Sequence, residues 1–359
     1  MKDIITVAVI GAGIGQKHLR AYLQLPQRFK VVSLCDIDLE RAAKVVSEEG
    51  ADPDVVKLSN SFDDLIARDD IDVIDICLPP HLHFDMSIKA LEAGKQVICE
   101  KPLVSSLKEA DLLIEAEKKA KGTLTPVFQY RYGSEVAKLK ALIEAGLAGK
   151  ALVASVETHW NRTAAYYDNP WRGTWKGEQG GAVLGHAIHN HDLLCAFMGP
   201  IRQLNAFVGT RVNDIEVEDC ASISFQMENG ALATSSITLG AATDMSRFRF
   251  CFEKLTAESD ILPYAPAEGT WSFKARGSEA DQAKVDACLA KVPDIQSGFC
   301  GFLEALADRL QYGGTNSVTL DDGRRSVELV TAIYQSARTG KCIMLPLSND
   351  CNLYESWQP

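Results

Sequence analysis

The amino-acid sequence predicts an α/β protein of two domains, the first built on a parallel sheet and the second on an antiparallel one. With 359 residues, 46% of them hydrophobic, the chain is longer than one ordinary core requires. The first part alternates short apolar runs with segments of helical period, which is typical of βαβ units. After about residue 130, strand-like runs follow one another through short turns, which indicates antiparallel pairing. We therefore expect domains at residues 1–129 and 130–359.

The first domain is predicted from five short apolar runs and the helical segments between them. The expected strands are Ile5–Ile10, Val31–Asp36, Val73–Leu78, Val97–Cys99 and Pro126–Tyr130. The expected helices are Gln16–Leu25, Leu39–Glu48, Phe62–Ala67, Phe84–Ala93 and Lys108–Ala120. Strands that alternate with helices in this way predict parallel pairing through crossover connections.

The second domain is predicted from longer strand-like runs. These are Ala151–Trp160, Ile201–Val212, Cys220–Met227, Ala231–Leu239 and Phe248–Phe252. Expected helices are Glu135–Ala145, Leu184–Met198, Gly298–Gln311 and Gly323–Thr339. The segment Glu228-Asn229-Gly230 predicts a hairpin turn, because Asn-Gly adopts positive φ at low cost. Residues 253–295 give weak signals, and we predict no element there.

Composition excludes several classes of protein. The net charge is −11 and no basic run is present, which argues against nucleic acid as a partner. No apolar run approaches the roughly 20 residues that span a bilayer, so we expect no membrane segment. The first residues lack the features of a signal peptide, and the ten cysteines form no C-x-x-C pair. Both observations favour a reducing cytoplasm.

A glycine-rich turn directly follows the first predicted strand. Gly11, Gly13 and Gly15 form a G-x-G-x-G pattern that also contains Ile14. Glycines let a pyrophosphate approach the backbone, and the following helix N-terminus offers free N–H groups. The usual fingerprint is G-x-G-x-x-G, so the turn here is one residue shorter and Gln16 takes the place of the third glycine.

An acidic residue at the end of the next strand strengthens this interpretation. Asp36 lies 36 − 15 = 21 residues after Gly15. A carboxylate at about this spacing accepts hydrogen bonds from ribose hydroxyls and repels a 2′-phosphate. We therefore predict a Rossmann fold that binds NAD, with NADP less favoured but kept open by the nearby Arg41. The alternative is an ordinary surface turn.

Lys101 follows a short predicted strand in Glu100-Lys101-Pro102. Ligands of open α/β sheets lie outside the carboxyl ends of the strands, so this amine is expected beside the nicotinamide. There it could stabilise a developing alkoxide. An exposed lysine before a helix is an equally simple interpretation.

A second candidate group is the helix containing His186, His189 and Asp192. At spacing i, i+3 and i+6 these side chains share a broad helix face. Imidazole suits acid–base chemistry near neutral pH. A metal site on the two histidines is an alternative, although no convincing third ligand is evident. Helix packing is the other alternative.

An aromatic and polar stretch precedes this helix. It comprises Trp160, Asn161, Arg162, Tyr166, Tyr167, Asp168, Trp171, Arg172 and Trp175. Aromatic faces stack on sugars, and Arg and Asn side chains bond hydroxyls. Core packing or a subunit contact explains such a stretch about as well.

These motifs together resemble the Gfo/Idh/MocA oxidoreductase family over nearly the whole chain. The matching segments are Gly11-Ala12-Gly13 with His18, Pro79-Pro80-His81-Leu82-His83, Ala93-Gly94-Lys95, Glu100-Lys101-Pro102, Tyr166-Tyr167 with Trp171-Arg172-Gly173, His189-x-x-Asp192-Leu193-Leu194, and Ser336-Ala337-Arg338-Thr339-Gly340. The resemblance implies a Rossmann domain followed by an α/β domain with a large, mostly antiparallel sheet. It also implies sugar, inositol or related polyol substrates and a homodimer or homotetramer.

The resemblance implies roles for individual residues. Lys101 and His189 are expected to be catalytic. Cofactor contacts are expected from Gly11, Gly13, Ile14, Gly15, Asp36, Leu78, Pro79, His83, Glu100 and Lys101. Substrate contacts are expected from Tyr130, Arg162, Tyr167, Trp171, Arg172, His186 and Asp192. The sequence departs from relatives that carry an aspartate four residues before the catalytic histidine, because that position is Gly185. His186 is one candidate to take part of that role.

The predicted reaction is hydride transfer between a secondary alcohol of a sugar or inositol and NAD. His189 would take the hydroxyl proton while Lys101 stabilises the alkoxide. Two other functions are compatible with the motifs. One is an NAD-dependent glycosidase without net redox change, and the other is a non-enzymatic NAD-binding regulatory protein.

Overall fold

The computed structural model describes residues 4–359 and divides them into two compact units. The first unit contains the chain up to residue 128 together with residues 299–327. The second contains residues 129–298 and 328–359. This division differs from the predicted domains of 1–129 and 130–359, because residues 299–327 return to the first unit.

Polar and aromatic contacts attach this returning segment to the first unit. The ring of Phe299 packs on His18, with 4.5 Å between the ring centroids. Arg309 donates to the hydroxyl of Thr125 at 2.5 Å, and Arg324 donates to Asp111 at 2.5 Å. Contacts between residues so distant in sequence leave no local pattern, so sequence periodicity could not assign the segment.

A six-stranded parallel sheet forms the centre of the first unit. Its strands are β1 (Ile5–Ile10), β2 (Phe29–Cys35), β3 (Lys57–Ser59), β4 (Val73–Ile76), β5 (Gln96–Cys99) and β6 (Leu124–Pro126). The order β3-β2-β1-β4-β5-β6 places the reversal of strand order between β1 and β4. This order confirms the predicted Rossmann fold and puts ligands outside the carboxyl ends of β1 and β4.

Helices connect these strands, mostly within a few residues of their predicted bounds. They are α1 (Gly15–Leu23), α2 (Leu39–Glu48), α3 (Phe62–Ile66), α4 (His83–Glu92) and α5 (Leu107–Lys119). Strand β3 was not predicted, because its three residues are exposed or half-buried and form no apolar run. The predicted strand Pro126–Tyr130 was wrong: β6 ends at Pro126, and a 3₁₀ turn occupies Gln129–Arg131.

The second unit contains an eight-stranded, mostly antiparallel sheet, as predicted. Its strands are β7 (Ala151–Asn161), β8 (Ile201–Gly209), β9 (Cys220–Met227), β10 (Leu232–Thr238), β11 (Gly240–Phe252), β12 (Leu255–Ser259), β13 (Trp271–Ala275) and β14 (Ile343–Met344). The order is β13-β12-β11-β7-β10-β9-β8-β14, with β7 and β10 as its one parallel pair among residues 4–359. The predicted hairpin joins β9 to β10, and Gly230 adopts φ +87° there.

The remaining helices are α6 (Ser134–Glu144), α7 (Ala182–Gly185), α8 (Ile188–Met198), α9 (Glu279–Leu289), α10 (Gly298–Tyr312) and α11 (Leu320–Thr339). The weakly patterned region 253–295 contains β12, β13 and α9. A capping box of Ser278 and Asp281 starts α9, and this S-x-x-D signal was present in the sequence. Within residues 4–359, no helix has the length and apolar character needed to cross a membrane.

Candidate active site

The glycine turn in the first unit is fixed by close backbone packing. Gly11 has φ +104°, and a Cβ there would lie 2.4 Å from the carbonyl oxygen of Cys77. A Cβ at Gly15, the first residue of α1, would lie 2.9 Å from Cγ1 of Val9. Gly15 thus permits close packing of helix on strand, the usual role of the third fingerprint glycine. A Cβ at Gly13 would meet nothing within 4 Å, so open space borders the turn there.

Asp36 lies directly after β2 and hydrogen-bonds back to this turn. Its Oδ2 accepts the N–H of Ala12 at 2.7 Å, and its Oδ1 accepts the N–H of Asp38 at 2.9 Å. The Arg41 guanidinium lies 2.7 Å from both carboxylate oxygens. Burial alone would raise the pKa of Asp36, but these donors outweigh it and lower the pKa. The residue therefore keeps its negative charge beside the turn.

The loop after β4 carries the next predicted cofactor residues. Pro79 precedes a 3₁₀ turn, and the side chain of Leu78 lies beside Gly11. His83 is fully buried, and its ring nitrogens lie 2.8 Å from the Leu78 carbonyl and 2.7 Å from the Pro102 carbonyl. Burial lowers the pKa of His83, although the two carbonyl contacts act in the opposite direction. His83 thus links the loops after β4 and β5, while its contact with a cofactor stays a prediction.

Lys101 lies in the loop after β5 and is half-buried. Its backbone N–H donates to Oε2 of Glu100 at 3.0 Å, and Glu100 is itself buried. The loops after β1, β4 and β5 therefore all lie at the carboxyl edge of adjacent parallel strands. This edge brings together the predicted cofactor residues, with an amine among them.

The histidine segment of the second unit is not one helix. The predicted helix Leu184–Met198 is broken into α7 and α8, and His186 lies in the break with φ −122° and ψ −58°. The prediction that His186 shares a helix face with His189 and Asp192 was therefore wrong. Small residues on either side, Gly185 and Ala187, permit the irregular turn. Only His189 and Asp192 are held by the same helix.

His189 and Asp192 each contact a residue of the Gln129–Arg131 turn. The ring of His189 stacks on Tyr130 with 4.6 Å between centroids, and both are buried. Burial raises the pKa of Tyr130, so its hydroxyl stays protonated. Arg131 binds Asp192 through two hydrogen bonds of 2.7 and 2.6 Å. Sequence reasoning missed Arg131, because the pair spans 61 residues.

Two neighbouring side chains attach α8 to the sheet. Asn190 donates to the Thr158 hydroxyl on β7 at 2.7 Å. Nε2 of His191 lies 2.9 Å from the Ser235 hydroxyl on β10. Burial lowers the pKa of His191 to about 4, so it stays neutral. These contacts fix the helix that carries His189.

The predicted aromatic stretch forms a cluster with two arginines. The Arg162 guanidinium lies 5.1 Å from the ring centres of Trp160 and Tyr166. The Arg172 guanidinium lies 4.2 Å from the Tyr166 ring and 4.4 Å from that of Trp171. The Tyr167 ring packs edge-on against Tyr166 at 5.0 Å. The cluster reaches the histidine segment, because the Tyr166 hydroxyl lies 3.4 Å from Nε2 of His186.

A buried carboxylate lies close to the glycine that departs from the family pattern. A Cβ at Gly185 would lie 3.8 Å from Oε1 of Glu178. Glu178 accepts hydrogen bonds from Arg172 at 2.9 Å and from the Gly173 N–H at 2.7 Å. A carboxyl group thus lies near position 185 although residue 185 does not carry it. No motif in the sequence indicated that Glu178 would accept hydrogen bonds from Arg172 and Gly173 beside position 185.

A second missed carboxylate, Glu218, holds the start of α7. It accepts the N–H groups of Gly181 at 3.1 Å and Val183 at 2.9 Å, together with the Tyr334 hydroxyl. Burial raises its pKa to about 7. A Cβ at Gly181 would lie 1.8 Å from the Glu218 carbonyl oxygen, so this contact requires glycine. These contacts of Glu218 lie at the start of α7, just before the break between α7 and α8 that contains His186.

Known proteins resemble both parts of the chain. An uncharacterized oxidoreductase of Synechocystis sp. is 28% identical over 65% of this chain and 65% of its own, so the match spans just under two thirds of that relative. Inositol 2-dehydrogenase 3 of Saccharopolyspora erythraea is 34% identical over 42% of this chain and 44% of its own. The structure of the WlbA dehydrogenase from Bordetella pertussis with NADH and UDP-GlcNAcA superposes with a TM-score of 0.83 at 26% identity, covering 97% of this chain and 99% of that chain.

Family descriptions cover the same two parts. Residues 5–128 match the oxidoreductase family with an NAD-binding Rossmann fold, and residues 136–258 match the C-terminal domain of the same family. The glycine turn and Asp36 fit this cofactor, because the backbone at Gly11 leaves no room for a side chain and Asp36 stays charged beside it. The chain therefore belongs to the Gfo/Idh/MocA family of oxidoreductases, and its first unit is an NAD-binding Rossmann domain.

Proposed function

We propose that the protein is a dehydrogenase that oxidises a secondary alcohol of a sugar, sugar derivative or inositol. The observation that carries the proposal is Lys101, a half-buried lysine at the carboxyl edge of an NAD-binding sheet. Similar proteins support the substrate class, since they include an inositol 2-dehydrogenase and a dehydrogenase solved with UDP-GlcNAcA. Bound NAD would accept the hydride from the substrate carbon.

The chain's own residues would hold the cofactor and move the proton. Backbone N–H groups of the turn from Gly11 to Gly15, including Gly13 and Ile14, would bind the pyrophosphate, and Asp36 the ribose. Leu78, Pro79, His83 and Glu100 would shape the nicotinamide end. The hydroxyl proton would pass to His189, while Lys101 donates a hydrogen bond to the alkoxide oxygen. The proposal requires both side chains to act on one substrate.

The aromatic cluster would bind the rest of the substrate. Arg162, Tyr167, Trp171 and Arg172 offer two guanidinium groups and ring faces, a combination that suits polar hydroxyl groups and the C–H faces of a sugar. Tyr130 and Asp192 would orient His189 from one side, and His186 would contact substrate from the other. Since Arg131 already engages both carboxylate oxygens of Asp192, we expect Asp192 to act by orientation.

The test is a panel of sugars, sugar acids, glycosides and inositols with NAD⁺ and NADP⁺, followed by the absorbance of the reduced cofactor. Net NADH formation supports a dehydrogenase. Glycoside cleavage without NADH would support a glycosidase, and cofactor-dependent partner binding without turnover a regulatory protein. Lys101→Ala should keep NAD affinity, measured by calorimetry, and lose about 10²-fold or more in turnover. Unchanged turnover would remove Lys101 from the mechanism.

We also propose self-association through the exposed face of the second sheet. Val153, Phe207 and Leu232 lie on that face and are 49%, 77% and 53% exposed. Large apolar groups on an open sheet face are typical of an interface. Phe207→Glu should shift the mass measured by light scattering toward the monomer; a wild-type monomer would contradict this.

We propose a reducing compartment such as the cytoplasm, which the ten free cysteines fit.

A further inference from the structure

A buried chain of hydrogen bonds in the first unit connects α1 to Lys101. His18 lies in α1 and is 1% exposed. Its Nδ1 lies 2.8 Å from Oδ2 of Asp75 on β4, and its Nε2 lies 3.0 Å from Oε1 of Glu100. The proposed reaction assigns His18 no contact with cofactor or substrate. Its burial between two carboxylates needs a separate explanation.

The two contacts determine the protonation of the ring. A neutral imidazole offers one N–H and one lone pair, whereas imidazolium donates from both nitrogens. Because both partners are carboxylate oxygens, only imidazolium satisfies both contacts when Asp75 and Glu100 are ionised. Burial lowers the pKa of His18, but the charge and hydrogen bond of Asp75 outweigh it and raise the pKa well above its usual value.

Other polar groups around the ring agree with this assignment. The Tyr22 hydroxyl donates to Oδ2 of Asp75 at 3.0 Å, and the Cys77 thiol lies 3.5 Å from Oδ1. His18, Asp75 and Cys77 also place potential metal donors within 4.8 Å of one another. The imidazole nitrogen facing Asp75 is already hydrogen-bonded, however, so a proton accounts for the arrangement.

The carboxylate of Glu100 contacts both His18 and the backbone of the neighbouring Lys101. One carboxylate oxygen faces His18, and the other accepts the backbone N–H of Lys101 at 3.0 Å. Rotation of the carboxylate would break both bonds. The orientation of Glu100 thus depends on His18 and in turn fixes the first backbone atom of Lys101.

We propose that His18 is a positioning residue, an imidazolium that holds Glu100 so that Lys101 is fixed at the sheet edge where α1 begins. A single buried cation would thereby join the helix that follows the dinucleotide turn to the reactive amine. The importance of this link for turnover rests on the proposed function. Its structural part can be tested without a substrate.

The first test is ¹⁵N NMR of the histidine rings in the wild-type protein at about pH 8, above the usual histidine pKa of about 6.5. We expect His18 to carry protons on both ring nitrogens, with His18→Gln used to assign the signal. Glu100→Gln supplies a second assignment, because it should shift the Nε2 signal without removing it. A neutral ring at this pH would overturn the proposal.

The second test measures exchange of the Lys101 backbone amide. In Glu100→Gln one amide oxygen must serve two donors, so we expect Lys101 exchange to rise about tenfold or more. His18→Gln should have the same effect. This variant leaves two buried carboxylates without a cation, so Glu100→Gln, which keeps the pair of His18 and Asp75, is the variant that must fold.

Tyr22→Phe is the matched control, since it removes a bond to Asp75 in the same cluster without touching Glu100. We expect it to leave Lys101 exchange within about twofold of wild type. On a substrate found with the panel, Glu100→Gln should lower kcat about tenfold with little change in KM. Equal exchange in all variants would overturn the proposal, whereas altered exchange without any substrate turnover would contradict only the proposed function.

Discussion

In the first unit the candidate site lies on four loops that follow adjacent parallel strands, whereas in the second it lies on a broken helix and an aromatic loop. The first set is held by contacts of the backbone between neighbouring strand ends, as at Gly11 beside Cys77 and Asp36 beside Ala12. The second is held by ion pairs between distant segments, such as that between Arg131 and Asp192. The residues proposed to bind the cofactor therefore lie in short sequence motifs, whereas the proposed substrate side is assembled by side-chain contacts between distant segments.

The strongest test of this backbone packing is Gly11→Ala. Its φ of +104° and the carbonyl oxygen 2.4 Å from a Cβ should make this variant unstable, by roughly 3–5 kcal/mol in urea unfolding. Gly13→Ala is the control, because nothing lies within 4 Å of a Cβ there. It should keep its stability yet bind NAD about tenfold more weakly, since a methyl group would obstruct the pyrophosphate. Wild-type NAD affinity in Gly13→Ala would mean that the pyrophosphate binds elsewhere.

Sequence reasoning succeeded where one segment carries the whole signal. The strand, the glycine turn and Asp36 are consecutive or one βαβ unit apart, and the structure contains them as a Rossmann fold. Two of the missed residues act across long sequence separations. Glu218 bonds Tyr334 across 116 residues, and Arg131 bonds Asp192 across 61. Charge complementarity at such distances is a property of the folded chain, so one sequence cannot show it.

The broken helix was misjudged for a related reason. Residues 184–198 keep an apolar pattern compatible with one helix, but the segment before them is held by Glu218 through Gly181 and Val183. This anchor and the small residues around His186 end α7 early. A tertiary contact thereby overrides the local helical preference, and it moves one predicted site residue off the face of the other two.

A smaller loss of stability is expected when one ion pair from each unit is removed and the two losses are compared. Arg131→Met leaves Asp192 buried without its cation, because Asp192 is 4% exposed, and should cost about 3 kcal/mol. Arg68→Met removes a similar two-bond pair with Asp70, but Asp70 is 63% exposed and the loss should stay below about 1 kcal/mol. Urea unfolding of both variants checks the contrast. Equal losses would show that the second unit does not depend on its ion pairs more than the first.

The stability of the protein is also expected to depend on pH through Glu218. Burial raises its folded pKa to about 7 from a usual 4.5, so the folded state keeps a proton that the unfolded state loses between these values. The free energy of unfolding should therefore fall as pH rises from about 4.5 to 7, by at most about 1.4 kcal/mol per pH unit.

Glu218→Gln isolates this contribution, because glutamine does not titrate. The variant should be less stable overall, since its amide cannot accept all the donors from Gly181, Val183 and Tyr334. Its stability should nevertheless vary less with pH than that of wild type across this range, measured by urea unfolding at several pH values. Parallel curves would mean that Glu218 is ionised throughout and that its hydrogen bonds fully offset its burial. The anchor of α7 would then be a permanent charge, comparable to Asp36 in the first unit.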